Sequence, residues 1–95
     1  MITIGPFEIQ SASVYSGPNM RSEESEFGSV TWRIYVYDSL EFIHKVANYL
    51  VSNRRQQTSI FIEFNGRKRE VKVFDASITG VCLECEFWEA KVESE

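Results

Sequence analysis

The dipeptide Asn65-Gly66 constrains this chain more than any other feature, because it sits between two apolar-rich runs and favours a two-residue type I′ turn. Such a turn forces the residues on either side of it, within Ser59 to Phe74, into an antiparallel hairpin. The two-residue loop pairs Glu63 with Lys68 and Ile60 with Val71, but it also sets Ile62 opposite Arg69. A four-residue loop, which pairs Ile62 with Val71, competes with it, since register decides which side chains face the core.

The remaining runs supply partners for that hairpin. Val30 to Tyr37 alternates strictly, with Val30, Trp32, Ile34 and Val36 on one face and Thr31, Arg33, Tyr35 and Tyr37 on the other. The aliphatic face should meet the core. The second face, an arginine among tyrosines, is a candidate recognition surface. Phe7 to Tyr15 reads as a weaker strand near a sheet edge, Ile2 to Ile4 as a short extra strand, and Val81 to Trp88 as a last strand after a turn at Ser77 to Gly80.

Between these runs, Asp38 and Glu41 have the spacing of a capping box and predict a helix from Asp38 to about Asn53. Its core stripe is Leu40, Ile43, Ala47, Leu50 and Val51. Phe42 and Tyr49 fall off that stripe and are expected in an intermolecular contact, unless a neighbouring segment folds over them. The expected fold is a single α+β domain over residues 1–95. It is a small, mainly antiparallel sheet in the order β-β-α-β-β-β, carrying one amphipathic helix. Gly17 to Gly28 has turn formers at both ends and is expected to be a long acidic loop bearing Glu23, Glu24 and Glu26.

Composition narrows the function classes. An apolar share of 43% over 95 residues suffices for one core, and no apolar run approaches the roughly 20 residues that span a bilayer. The start of the chain lacks a basic region followed by an apolar run, so a soluble, cytoplasmic protein is expected. A net charge of -4 disfavours nucleic acid or an anionic membrane as the main partner and suits a basic protein.

Residues that could carry chemistry do not assemble into a recognisable set. Cys82 and Cys85 have the spacing of a redox or zinc half-site, but in a strand pattern residues three apart point to opposite faces. His44 is the one histidine available to complete a four-ligand zinc site. No cofactor, metal or catalytic residue is therefore expected.

Asp75-Ala-Ser77-Ile-Thr-Gly80, preceded by the hairpin, resembles the Asp/Asn-x-Ser-x-x-Gly signature of PilZ domains. The resemblance implies cyclic di-GMP binding by Asp75, Ser77 and Gly80, with Arg54 and Arg55 near the phosphates. Of that family's Arg-x-x-x-Arg segment the second arginine is absent, since Thr58 and Ser59 stand four residues after Arg54 and Arg55. The first expectation is a non-enzymatic protein-binding domain of inhibitor or immunity type, contacting its partner through Phe42, Tyr49, Arg33, Tyr35, Tyr37 and the loop glutamates. The alternatives are a self-associating phage tail or virion subunit and the PilZ-like nucleotide binder.

Overall fold

The computed structural model describes residues 1–18 and 27–90. Seven strands and one helix follow in the order β1 (Ile2–Ile4), β2 (Phe7–Ile9), β3 (Ala12–Pro18), β4 (Phe27–Tyr37), α1 (Leu40–Gln56), β5 (Ile60–Phe64), β6 (Arg67–Thr79) and β7 (Cys82–Ala90). All pairings are antiparallel, and the strands lie side by side as β2-β1-β5-β6-β7-β4-β3. The α+β class with one helix is as expected; four strands precede the helix where the order β-β-α-β-β-β has two, one of them the short extra strand Ile2–Ile4 and the other produced by a break in the expected first strand. The expected first strand is interrupted at Gln10 and Ser11, so β2 pairs with β1 while β3 pairs with β4.

Asn65 and Gly66 adopt the positive φ angles, 54° and 76°, that a type I′ turn needs. The two-residue register follows, with Glu63 facing Lys68, Ile60 facing Val71 and Ile62 facing Arg69. The last turn falls later than Ser77–Gly80, because β6 continues through Thr79 and reverses at Gly80, whose φ is +63°. Gly17 and Pro18 pair with Thr31 and Val30, and Gly28 lies within β4, so both ends of the expected 17–28 loop are strand. Its interior, with Glu23, Glu24 and Glu26, lies outside the described residues.

One sheet face and the helix enclose the core: Ile2, Ile4 and Ile9 from the N-terminal hairpin, Ile34 and Val36 from β4, Ile60 and Ile62 from β5, and Val71, Val73, Leu83, Cys85 and Phe87 from the centre. The helix packs chiefly against β6 and inserts Ile43, Val46, Ala47 and Leu50. No helix of the described residues is long and apolar enough to cross a membrane.

The helix corrects two expectations. Its N-cap is Ser39, whose Oγ accepts from the Phe42 N–H at 3.3 Å, while the Asp38 carboxylate accepts from the Ser39 N–H at 2.7 Å. Asp38 thus caps the cap, and no box with Glu41 forms. At the other end Gln57 turns into the left-handed region and the Thr58 N–H returns to the Asn53 carbonyl at 2.9 Å, carrying the helix past Asn53 to Gln56.

The second correction concerns Phe42 and Tyr49. With Val46 buried and Leu40 half exposed, the core stripe is turned toward the side that carries both aromatics. Phe7 meets the Phe42 ring edge-on at 6.0 Å and the Tyr49 ring at 5.5 Å. The N-terminal hairpin covers them, so they flank the core instead of forming a free patch.

That packing depends on Gly5. Its φ is +55°, and a Cβ there would lie 2.6 Å from the Tyr49 ring. An L-residue in that conformation costs about 1–2 kcal/mol before the clash is counted. Urea unfolding should therefore show Gly5→Ala less stable than wild type by about 2–3 kcal/mol. Gly17→Ala, where a Cβ meets nothing within 4 Å and φ is ordinary, should stay within about 1 kcal/mol.

Candidate functional site

The alternation that buries Ile34 and Val36 turns Arg33, Tyr35 and Tyr37 to the outer face of the sheet. The register sets Tyr15 of β3 beside Arg33, and Glu86, Glu84 and Cys82 of β7 beside Arg33, Tyr35 and Tyr37. Tyr15 and Tyr35 meet edge-on at 5.7 Å, and Tyr15 and Tyr37 remain 59% and 45% exposed. The Arg33 Nε lies 3.7 Å from Glu86 Oε1, and the other Glu86 oxygen accepts from the Trp88 indole N–H at 2.9 Å. Trp88 stacks on Phe74, with ring centroids 4.4 Å apart. An aromatic band with one arginine therefore runs across β3, β4, β7 and β6.

The sequence pointed to Arg33, Tyr35 and Tyr37 but not to Tyr15. The signal was the two-residue spacing of Ser13 and Tyr15, which shares their face once β3 pairs with β4. Phe42 and Tyr49 are not part of this surface, because they lie under the N-terminal hairpin.

The motif residues Asp75 and Ser77 line a depression of about 160 Å³ with Arg33, Tyr35, Glu84, Cys85 and Glu86. Three carboxylates around so small a space oppose a phosphate. Arg54 lines a separate groove of about 270 Å³ with Lys72, Phe74 and Trp88. Arg54 and Arg55 lie in the last turn of α1, whereas Arg67, Lys68 and Arg69 open β6 beyond the Asn65-Gly66 turn, so the two basic clusters sit on different elements. Among the described residues, no group of three or more His, Cys, Asp or Glu could hold a metal ion.

The inner face carries one polar network. Arg69 Nη1 donates to Glu89 Oε1 at 2.7 Å, Trp32 Nε1 donates to Glu89 Oε2 at 3.3 Å, and the guanidinium lies 5.2 Å from the Trp32 ring centroid. Both charged side chains are largely buried, so each supplies what the other needs.

The cysteines separate as the strand pattern requires. Cys85 is buried on the core face, and Cys82 is half-buried on the other. Burial, followed by the charges of Cys82 and Asp75, pushes the Cys85 thiol up to about 12. Cys82 is the main cause that raises the Tyr37 phenol, ahead of burial. Both shifts favour the neutral forms, away from the thiolate or phenolate that a nucleophile requires.

Comparison of the chain with protein-family models, with curated proteins and with solved structures finds no match.

The Cys85 shift makes a pH prediction. The folded state keeps the thiol protonated to about 12, whereas the unfolded chain releases that proton near 9.0. This contribution to stability is complete below the lower value and is lost as pH rises between the two. Urea titrations should show wild type losing stability over that interval more steeply than Cys85→Ala. In native protein a thiol reagent should modify Cys82 rapidly and Cys85 only on unfolding.

Proposed function

We propose that this chain is a non-enzymatic protein-binding domain of the inhibitor or immunity kind, and that it meets its partner through the outer face of β3 and β4. The observation that carries this reading is the exposure of Tyr15 and Tyr37 around Tyr35, with Arg33 on the same face. Tyrosine and arginine are enriched at protein interfaces and among the residues that dominate binding energy, because each offers a large, stiff apolar body with a polar tip. A rigid sheet also holds these side chains in place before binding, which lowers the entropy cost of contact.

The partner's chemistry follows from the charges around the tyrosines. Glu84, Glu86 and Asp75 border the same face, and the chain carries a net charge of -4. A basic protein surface is steered toward such a face and finds carboxylates there. The association rate should fall as salt rises.

Affinity capture with the full chain, compared with the double variant Arg33→Ala, Tyr37→Ala, tests the reading. Neither side chain is buried, so the variant should melt within a few degrees of wild type. A basic protein captured by wild type should bind the variant at least about tenfold more weakly in calorimetry, and wild-type binding should weaken with salt. Equal affinity for both chains would remove the tyrosine face from the interface.

A further inference from the structure

We infer that Asn65 is a self-modification site, where the folded chain converts this amide to aspartate and isoaspartate through attack by the Gly66 main-chain nitrogen, and that the isoaspartate loosens the hairpin. The chemistry of this hairpin tip is independent of what the outer face binds.

The reaction needs a main-chain nitrogen that no hydrogen-bond ladder holds, room for a five-membered ring, and a backbone able to move. Phe64 and Arg67 are the last pair of the β5–β6 ladder, so Asn65 and Gly66 lie beyond it. The Gly5 N–H donates to the Phe61 carbonyl at 2.8 Å, which fixes the phase of β5. Phe61 turns its main-chain groups toward β1, and Ile60, Ile62 and Phe64 turn theirs toward β6. Phe64 and Arg67 therefore exchange both bonds and close the loop, and the Gly66 N–H belongs to neither ladder.

Gly66 also has no side chain to shield that nitrogen. A Cβ built on it would meet nothing within 4 Å, and both residues of the turn are exposed. Ring closure carries Asn65 out of its left-handed conformation, φ 54°, which a residue other than glycine holds only at some cost. An exposed two-residue tip is where local opening concentrates.

The helical asparagines lack these conditions. The nitrogens that follow Asn48 and Asn53 are those of Tyr49 and Arg54, inside α1, where each N–H donates to the carbonyl four residues back. The Asn53 amide is itself held, donating to the Tyr49 carbonyl at 2.8 Å.

In the first step the Gly66 nitrogen bonds to Asn65 Cγ, the Cγ–Nδ2 bond breaks, and the Gly66 proton leaves with Nδ2 as ammonia. Water then opens the cyclic imide at one carbonyl or the other, giving aspartate or isoaspartate. Either product adds a carboxylate to the depression that Asn65 lines with Arg67 and Arg69. Isoaspartate also lengthens the main chain by one atom, at the turn that sets Ile62 opposite Arg69. The inner-face pair of Arg69 with Glu89 is thereby tied to the fate of a surface amide.

Ageing the full chain at mildly alkaline pH, folded in buffer and unfolded in urea, tests this, with peptide mapping that separates aspartate from isoaspartate. In folded protein Asn65 should convert at least about tenfold faster than Asn48 or Asn53. The isoaspartate form, isolated by ion exchange, should melt a few degrees below Asn65→Asp, which carries the same charge on an unaltered main chain. Asn65→Gly, a glycine pair suited to the same turn, should keep its melting temperature on ageing. An Asn65 that stays intact in folded protein while urea-unfolded protein converts it, or that converts no faster than Asn48 and Asn53, overturns the proposal. So does an isoaspartate form that melts with Asn65→Asp, or an Asn65→Gly chain that loses stability on ageing as wild type does.

Discussion

β2 pairs with β1 at one end of the strand order and β3 pairs with β4 at the other, yet only Gln10 and Ser11 separate them. Three Cα steps of about 3.8 Å reach at most about 11 Å. In a flat sheet of this order the two outer strands would lie nearly 30 Å apart, at about 4.8 Å per neighbour. The sheet must therefore roll until its ends meet, with β2 and β3 as the halves of one bent strand. That curvature makes the concave face into which Ile43, Val46, Ala47 and Leu50 fit, and it brings Phe7 over Phe42 and Tyr49.

Features that rest on local chemistry were legible in the sequence. Asn65-Gly66 fixed its hairpin, and strict alternation revealed both faces of Val30 to Tyr37, because these signals act within a few residues. The helix was legible in existence and roughly in extent, but its buried stripe was misplaced. Val46 was omitted from the stripe and Leu40 and Val51 were included, which turned the inferred core away from Phe42 and Tyr49. No local pattern states that residues 2–9 return to cover a helix more than thirty positions later. The break at Gln10 and Ser11 was hidden for the same reason, since it follows from closure and not from composition.

Arg69 shows how register can look wrong in a sequence and be right in the fold. Opposite Ile62, it stands on the inner face, where an unpaired guanidinium would be costly. Glu89 and Trp32 come from strands distant in sequence and supply the charge, the hydrogen bonds and the ring face that make the position tenable. The outer face has the opposite logic. Its tyrosines are held by the sheet but left uncovered, which is why the binding reading attaches to them and not to the aromatics beside the helix.

The position of β7 has a consequence for how the chain acquires its structure. It is the last of the seven strands along the chain, yet it lies between β6 and β4, joining the ribbon of β3 and β4 to the hairpin of β5 and β6. Until residues 82–90 arrive, those two ribbons have no strand in common, and the inner edges of β4 and β6 stand open. Assembly is thus governed by contacts between distant parts of the chain, which slows folding. During synthesis on the ribosome the nascent chain passes through a stage with two unsatisfied strand edges, where a chaperone or a neighbouring nascent chain competes with its own last strand.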